Sequence, residues 1–398
     1  MINKIKNSSL IILVVLLATL ALFTKTSLLA AIREWVLAAM LFLTIITFVY
    51  SSRLSSRFVK IFPLVSLILI VTIIASFGMN RFMFMNFQND DLQTNKHLIV
   101  GYRNDQETRN LVKKNKVAGV YITARNIRGK TRNEIKNFIY ELQAERKKYS
   151  ENELVIMADQ EGGLVSHLSP LLTKTPSLGS VTEFSEKGDE KLSEVLSGET
   201  KQRAQVLEIA GTHGSELQEI GINTNLAPIA DLKSSNSAEG FSQISKRAIS
   251  DNPEIAKLVI KEYCNKLWDH EVKCVLKHFP GIGDVSEDTH FELGIKKGNL
   301  ETIKYQASAF ESPQNPHFIM VSHSKIESVD SQNPASVSKE AIKLLKEINS
   351  EAKIVTDDFS MIPISGGIGV KKSYTKALEA GVDYILVSYD KELAYELW

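Results

Sequence analysis

Hydrophobic residues in the first part of the chain are grouped in three long runs, at residues 9–23, 35–50 and 61–78. Each run approaches the roughly 17 to 20 residues with which a helix crosses about 30 Å of hydrocarbon. Helices in the core of a soluble protein are rarely apolar on every face over such a length. The pattern therefore predicts about three transmembrane helices within residues 1–90, with one or two spans plus an interfacial segment as the alternative.

Lysine and arginine residues are distributed unevenly around these runs. Five of them lie on the side predicted for the amino terminus and three lie on the other side. The five are Lys4, Lys6, Arg53, Arg57 and Lys60, and the three are Lys25, Arg33 and Arg81. Because the side richer in positive residues is usually cytoplasmic, an odd number of spans places the rest of the chain outside the cell. A cytoplasmic location stays the alternative, since the difference in charge is small.

From about residue 91 onwards, short apolar segments alternate with charged, helix-forming segments. The apolar segments lie at residues 98–102, 119–123, 154–159, 222–232, 274–280, 318–323, 353–358 and 384–388, and helices are predicted between them, for example at 132–148, 199–220, 253–270 and 339–349. Short, nearly continuous apolar strands alternating with helices are typical of a parallel sheet covered on both faces. Eight repeats predict an α/β fold, a (β/α)8 TIM barrel over residues 91–398.

Composition excludes some classes of function. The chain has 47 Lys and Arg against 46 Asp and Glu, and a net charge of +1 gives no electrostatic basis for binding nucleic acid. The two cysteines, Cys264 and Cys274, are too few for a disulfide framework and lack the spacing of a zinc site. We expect them to be ordinary buried thiols.

Polar residues occur at the ends of the apolar segments rather than at their beginnings. They are Asp159, Asp231, Lys277, His278, His323 and Asp357. In a parallel barrel the carboxyl ends of all strands meet at one face, so these residues are expected to converge on one pocket. The alternative for any one of them is a capping or loop residue.

The segment KHFPGIGDVSEDTH, at residues 277–290, leaves a predicted strand through a turn rich in glycine. Asp288 and His290 follow two residues apart, and in an extended loop they would project to the same side. Asp288 could then bind one imidazole nitrogen while the other nitrogen faces a substrate, as in an oriented general acid/base. Taken alone, the segment would favour a surface histidine beside an acidic residue.

The segment IVTDDFSM, at residues 354–361, places Asp357 and Asp358 at the end of another predicted strand. Adjacent side chains on a strand point to opposite sides, so at most one of them faces the pocket. A carboxylate there could attack the anomeric carbon of a sugar while His290 protonates the leaving oxygen. A metal site made of Asp357, Asp358 and His290 is the alternative, although no ligand spacing supports it.

Taken together, these segments resemble the bacterial β-N-acetylglucosaminidases of glycoside hydrolase family 3. The resemblance covers about residues 95–390, with six segments in the order of that family. They are DQEGG (159–163), GINTNLAPIADL (221–232), KHFPGIGDVSEDTH (277–290), SHSKIES with NPASVS (322–338), TDDFSM (356–361) and ALEAGVDYILVS (377–388). The spacing of Asp288 and His290 is similar to that of the branch that uses a His-Asp dyad as the acid/base.

The resemblance implies a role for seven residues and no need for a metal or organic cofactor. Asp357 matches the catalytic nucleophile, His290 the general acid/base and Asp288 the residue that orients it. The residues that match sugar-binding positions are Asp159, Lys277, His278 and, with less similar surroundings, Arg247. Asp358 is expected to be structural.

The sequence departs from the family pattern beside the expected pocket. The family usually has arginines where this chain has Leu164 and His167, and a histidine where it has Ile282. These differences put the choice of substrate in doubt more than the type of reaction. The chain also ends at Trp398, soon after the last predicted strand, so the closing helix is expected to be short or shared with another element.

The resemblance implies a retaining exo-enzyme that removes terminal N-acetylglucosamine from glycans. A multi-pass membrane region with an extracytoplasmic barrel suggests cell-wall material, such as peptidoglycan fragments or muropeptides, as the substrate. Two alternatives remain open on the sequence. One is a phosphorylase or transglycosidase acting on the same sugars, and the other is a catalytically silent, membrane-anchored sugar-binding protein.

Overall fold

The computed structural model describes residues 33–51, 57–182, 201–234, 243–311 and 317–398. Eight short parallel strands lie in the barrel, each within or beside an apolar segment predicted from the sequence. In chain order they are β1 (Leu98–Gly101), β2 (Gly119–Ile122), β3 (Val155–Ala158), β4 (Thr224–Asn225), β5 (Lys273–Phe279), β6 (Phe318–Val321), β7 (Lys353–Thr356) and β8 (Ile385–Val387). The prediction of eight strands is therefore confirmed.

The strands pair in parallel in the order β7-β6-β5-β4-β3-β2-β1-β8. The ring closes where β7 approaches β8, because Val355 forms a parallel bridge with Tyr384, and the Thr356 amide donates to the Tyr384 carbonyl over 3.0 Å. An eight-stranded parallel sheet that closes on itself is the sheet of a TIM barrel. Two short strand pairs, Gln160–Gly162 with Val165–Ser166 and Ile295–Lys296 with Lys325–Ile326, lie in loops that follow the strands.

Helices connect the barrel strands. They are α3 (Asp105–Lys113), α4 (Arg132–Arg146), α5 (Lys201–Glu219), α6 (Pro253–Trp268), α7 (Leu300–Ala307), α8 (Lys339–Ile348) and α9 (Val370–Ala380), with single turns at Thr94–His97, Ala124–Ile127, Leu178–Val181 and Ile244–Arg247 and short 3-10 or π segments at Ser308–Phe310, Ala335–Val337, Pro363–Ile368 and Lys391–Glu396. Side chains that accept from first-turn amides fix several starts, for example Asn104, Asn299 and Ser338. Thr131 and Glu134 cap α4 reciprocally.

The strands are buried on both faces, which explains why they read as continuous apolar segments. One set of side chains fills the inside of the barrel and includes Ile99, Met157 and Met320. The alternate positions, such as Leu98 and Val100, pack outwards against the helices. The core therefore consists of an inner cluster and a surrounding shell between sheet and helices.

Among the described residues, two helices precede the barrel, α1 (Arg33–Ser51) and α2 (Arg57–Asn86), and they pack on each other through Met40, Ile70 and Ile73. Within the described residues, the helix from Leu64 to Asn86 is long and apolar enough to cross a membrane, whereas the apolar part of α1 is shorter. The predicted run at 9–23 lies outside the described residues. The structure supports one candidate span, and it does not support the prediction of a multi-pass region with three.

The two cysteines are joined, which corrects the expectation of free buried thiols. Cys264, near the end of α6, forms a disulfide with Cys274 in β5, and their Cα atoms are 5.6 Å apart. Sequence separation alone gave no reason to pair them, but the turn between α6 and β5 brings them into bonding range. The bridge fastens the strand that carries Lys277 and His278 to its preceding helix.

We expect this disulfide to stabilise the folded chain by about 2–3 kcal/mol, the loop-closure contribution for a loop of its length. Cys274→Ser should lower the midpoint of thermal unfolding of the full chain, and reduction of the parent should lower it to a similar extent. Thiol alkylation followed by mass spectrometry provides the direct check. Quantitative alkylation of the native, unreduced protein would contradict the pairing.

Candidate active site

A cavity of about 360 Å³ opens at the C-terminal face of the barrel, where the strands end. Its walls include residues from loops after β2, β3, β5 and β7, although these are far apart in the chain. Six of the seven residues assigned from the sequence line it, and the seventh, Asp288, contacts one of them. The six are Asp159, Arg247, Lys277, His278, His290 and Asp357.

Asp357 follows β7 directly, and its amide donates to the Val321 carbonyl over 2.9 Å. Burial by itself would raise the pKa of Asp357. The positive potential of His278, His323 and His290 and a backbone hydrogen bond from Asp358 outweigh that effect, and the pKa is lowered. Asp357 is therefore held as a carboxylate at neutral pH, which is the form that a nucleophile requires.

The neighbouring Asp358 joins two loops through hydrogen bonds. Its buried carboxylate accepts hydrogen bonds from the amides of Ser360, Ser388 and Tyr389 and from the Ser388 hydroxyl. These bonds tie the loop after β7 to the loop after β8, so Asp358 is structural, as expected. His323 was expected at the pocket, but it is fully buried, with one ring nitrogen on Ser336 and the other on the Asp358 carbonyl.

His290 and Asp288 form the expected pair. His290 Nδ1 lies 2.7 Å from Asp288 Oδ1, and the His290 side chain is 30% exposed and lines the cavity. The contact arises from a turn and not from the extended loop that the sequence suggested. The amides of Phe291 and Glu292 both donate to the Asp288 carbonyl, and the His290 amide donates to Asp288 Oδ1. Because Nδ1 faces Asp288, Nε2 is the ring nitrogen through which this cavity-lining side chain would act on a substrate.

A buried ion network forms another part of the cavity wall. Lys277 Nζ lies 2.5 Å from Asp159 Oδ1 and 2.6 Å from Glu161 Oε1. Arg247 binds the same Glu161 through Nε at 3.0 Å and Nη2 at 2.7 Å. Tyr121 donates to the second oxygen of Asp159 over 2.6 Å. The network fixes three of the predicted sugar-binding residues in single orientations.

Charge pairing outweighs burial throughout this network. Burial raises the pKa of Asp159 and Glu161, but the nearby Lys277 and Arg247 hold both pKa values below their usual range. Burial likewise lowers the pKa of Lys277, and its two carboxylate neighbours bring about a net rise. All four groups stay ionised at neutral pH. Glu161 thus belongs to the cavity wall, although the sequence did not indicate it as a site residue; it lies within the DQEGG segment.

His278 is oriented by a carboxylate behind it. His278 Nδ1 lies 2.7 Å from Asp231 Oδ2, and Asp231 Oδ1 accepts from the amides of His278 and Ile282. Asp231 is fully buried, and the positive potential of His278 overcomes the effect of burial and lowers the pKa of Asp231. Asp231 therefore positions both the ring of His278 and the loop that follows it.

The departures from the family pattern have distinct surroundings. Ile282 is buried in a small apolar cluster with Ile229, Ile244 and Val285, so neighbouring side chains are apolar where the family has a histidine. His167 Nδ1 lies 3.1 Å from the Tyr121 hydroxyl and 3.8 Å from Asp159 Oδ2. Leu164 is 61% exposed at the tip of the strand pair after β3. Of these three, His167 and Ile282 line the cavity.

A metal site does not emerge from the described residues. Across these ranges, no group of three or more His, Cys, Asp or Glu side chains is arranged to hold a metal ion. The carboxylate of Asp358, one of the ligands considered from the sequence, is instead hydrogen-bonded to the loop after β8. The structure therefore lends no support to the metal interpretation of the TDDFSM segment.

We expect Glu161→Gln to destabilise the protein by about 3–5 kcal/mol, because it leaves Lys277 and Arg247 buried with one carboxylate less. Since the pKa of Glu161 is lowered by folding, its contribution is present above about pH 4 and is lost as the pH falls further. Chemical unfolding at pH 7 measures the effect, and a series of unfolding measurements at pH values falling below about 4 measures its loss. Glu141→Gln is the control, because its ion pair with Arg109 is exposed and contributes about 0.2–1 kcal/mol. Equal losses for both variants would contradict the role of the network.

A TIM barrel with an ionised carboxylate and a carboxylate-bound imidazole at its C-terminal face fits the class of glycoside hydrolases. Sequence comparison agrees with this class. The chain matches the family described as "Glycosyl hydrolase family 3 N terminal domain" over residues 88–396. The chain belongs to glycosyl hydrolase family 3 and is a glycoside hydrolase.

Similar proteins carry related names. A beta-hexosaminidase of Xylella fastidiosa is 27% identical over 69% of this chain and 76% of its own length. A beta-hexosaminidase of Neisseria meningitidis is 28% identical over 75% of this chain and 79% of its own. The family 3 beta-N-acetylglucosaminidase from Paenibacillus sp. FPU-7 has a solved structure with 26% identity and a TM-score of 0.66. That match covers 78% of this chain and 58% of the Paenibacillus chain.

Proposed function

We propose that this chain is a retaining exo-β-N-acetylglucosaminidase. The observation that carries the proposal is the presence of an ionised Asp357 and the His290–Asp288 pair in one cavity. The names of its relatives supply the sugar, since beta-hexosaminidases and a beta-N-acetylglucosaminidase are similar to it along most of its barrel. A cavity of about 360 Å³ suits one terminal sugar rather than an internal stretch of glycan.

The reaction takes place in two displacements at the anomeric carbon. In the first, an oxygen of Asp357 forms a bond to this carbon, the glycosidic bond breaks, and His290 gives a proton to the leaving oxygen. In the second, His290 takes a proton from a water whose oxygen attacks the same carbon, and Asp357 leaves as a carboxylate. Asp288 holds the imidazole by Nδ1 and stabilises its positive form.

Four residues of the proposed site bind the sugar. Asp159, Lys277 and Arg247 present fixed charges to the cavity, and their mutual pairing keeps them oriented before the sugar arrives. His278 adds the ring nitrogen that Asp231 does not contact. Charged groups that are already desolvated and oriented make strong hydrogen bonds to hydroxyl groups.

Residues 1–90 form the membrane-attachment region in this proposal, and residues 91–398 form the catalytic domain. An extracytoplasmic barrel is supported by the Cys264–Cys274 disulfide, because such bonds persist in oxidising compartments and are rare in the cytosol. It is also supported by the apolar helix from Leu64 to Asn86. A barrel outside a bacterial cell has N-acetylglucosamine of peptidoglycan and its fragments as the nearest substrate.

The proposal is tested with the full chain in detergent and chromogenic glycosides. We expect nitrophenol release from 4-nitrophenyl N-acetyl-β-D-glucosaminide and little release from the matching glucoside, with the β-anomer as the first product. Release that requires phosphate and yields a sugar 1-phosphate would favour a phosphorylase instead. A folded chain that binds the sugar without any release would favour the silent binding protein.

A further inference from the structure

The last two turns of α2 belong to the barrel and not to a linker. Phe84 is 1% exposed and lies in the shell of the barrel core, with its ring 5.5 Å from the ring of Tyr395 in an edge-to-face contact. The Trp398 indole donates to Asn80 Oδ1 over 3.1 Å. The end of α2 thus packs on the segment that follows β8, where the closing helix of a barrel would lie. The apolar helix and the catalytic domain form one continuous body.

The direction of α2 along the barrel follows from contacts at the start and at the end of its last two turns. Arg81 lies 3.7 Å from Glu107, which is in the first turn of α3, just after the carboxyl end of β1. Asn86 Oδ1 accepts from Lys114 Nζ over 3.1 Å, and the Phe87 carbonyl accepts from Lys116 Nζ over 2.6 Å. Those two lysines follow the end of α3, on the N-terminal face. The last turns of α2 therefore run from the C-terminal face towards the N-terminal face.

The remainder of α2 consequently projects beyond the C-terminal face, on the side of the cavity. The 19 residues from Ile61 to Met79 contain no charged residue and span about 29 Å at 1.5 Å per residue, close to the thickness of a bilayer core. Within the described side chains, this part packs on α1 through Ile70 and Ile73 and exposes more than half of Leu64 and Val71. An exposed apolar surface on a helix of this length is typical of a segment that lies in lipid.

Exposed apolar side chains of the barrel are concentrated on the same side. Among the described residues from Phe87 onwards, ten large ones are exposed. Six lie at the C-terminal face or in loops that follow strands, two, Phe87 and Tyr149, lie at the N-terminal face, and two, Tyr140 and Tyr305, lie on helices of the barrel. The six are Leu164, Phe291, Ile295, Leu300, Tyr389 and Trp398. Phe291 and Tyr389 line the cavity itself. This observation is independent of the direction of α2.

We propose that the catalytic cavity opens towards the bilayer and that the substrate is held in the same membrane. The substrate class is an amphiphile whose apolar part lies in the bilayer and whose head group ends in N-acetylglucosamine. Because α2 enters the barrel without a linker, the height of the cavity above the lipid is fixed. The inference on the substrate rests on the proposed function, whereas the inference on orientation rests only on the contacts of α2.

The orientation of the cavity relative to the bilayer is tested by fluorescence quenching, with the full chain in lipid vesicles. Both cysteines are paired, so one introduced cysteine gives one labelling site. Leu164→Cys places a fluorophore on the cavity rim, and Glu151→Cys places it on an exposed loop before β3, on the opposite face. We expect phosphatidylcholine with a spin-labelled head group to quench the label at 164 strongly and the label at 151 weakly. Equal quenching, or stronger quenching at 151, would overturn the orientation.

The substrate class is tested in vesicles that contain the full chain. A short N-acetylglucosaminyl head group on a diacyl lipid is placed either in the enzyme's own vesicles or in separate ones, with 4-nitrophenyl N-acetyl-β-D-glucosaminide as the soluble reference. Because enzyme and lipid are confined to one membrane surface, we expect the lipid to be cleaved at least about tenfold faster in the enzyme's own vesicles than in separate vesicles. Hydrolysis of the soluble reference without cleavage of the lipid would overturn this inference. If neither the lipid nor the soluble reference is hydrolysed, the result counts against the proposed function. The quenching experiment then still tests whether the cavity faces the bilayer.

Discussion

Asp357→Asn is expected to lower kcat on 4-nitrophenyl N-acetyl-β-D-glucosaminide by more than about 10³-fold, or about 4 kcal/mol in the activation barrier. The amide keeps the size of the side chain but cannot form the glycosyl ester. KM should change much less, because Asp159, Lys277 and His278 still bind the sugar. The folded state should be preserved, since the structural carboxylate after β7 is that of Asp358.

Steady-state kinetics with the purified full chain and its circular dichroism spectrum are the measurements for this variant. Asp269→Asn provides a matched control, because Asp269 is exposed on the N-terminal face of the barrel, at the end of α6. We expect this control to keep the activity of the parent. A folded Asp357→Asn variant with near-parental kcat would show that another group forms the bond to the sugar.

His290→Ala should produce the second largest loss, about 10²- to 10⁴-fold in kcat, and the loss should depend on the leaving group. A poor leaving group such as an alkyl aglycone needs a proton from His290 and should lose the most. A dinitrophenyl aglycone leaves without protonation, so its first displacement should be little affected. Asp288→Asn should give a smaller loss of the same kind, because the imidazole keeps its place but loses its charged partner.

A series of aryl glycosides with leaving groups of different acidity measures this dependence, and the pH profile of kcat/KM should lose one limb in His290→Ala. His270→Ala is the control, since His270 lies between α6 and β5 on the opposite face. If His290→Ala lost the same factor with every leaving group, the residue would act by binding or structure and not as the acid.

The barrel could be predicted from the sequence because its strands carry a local pattern. Each strand is buried on both sides and is therefore apolar at consecutive positions, as in Val155–Ala158 and Phe318–Val321. Every observed strand falls within or at the edge of its predicted segment. β4 is the least regular, with two residues where eleven were predicted, because regular pairing is interrupted at Ala227 and Pro228; the chain continues beside β5, where Ile229 forms an isolated parallel bridge with Lys277.

The site was predicted in part. Asp357 and the His290–Asp288 pair could be assigned because each lies in a segment with its own motif. Glu161 could not, since its role depends on Lys277 and Arg247, which lie more than eighty residues away in the chain. The expectation of free thiols at Cys264 and Cys274 was wrong for the same reason, because their pairing depends on how α6 and β5 pack in the fold.

The apolar region before the barrel shows most clearly what the sequence does not predict. Its composition predicts helices in a membrane, but composition carries no information on which side of the barrel they leave. Contacts of Arg81 with Glu107 and of Asn86 with Lys114 supply that direction. After β8 the described chain forms only a short 3-10 segment, Lys391–Glu396, and Phe84 of α2 packs on Tyr395 within it.

The central claim is that this family 3 enzyme forms a covalent sugar intermediate on Asp357. A mechanism-based fluorinated N-acetylglucosaminide slows both displacements but the second more, so the intermediate accumulates. Peptide mass spectrometry after incubation of the full chain should find the mass of one fluorinated sugar on Asp357, and Asp357→Asn should remain unlabelled. Turnover of the parent without any adduct, or an adduct on another residue, would contradict the claim.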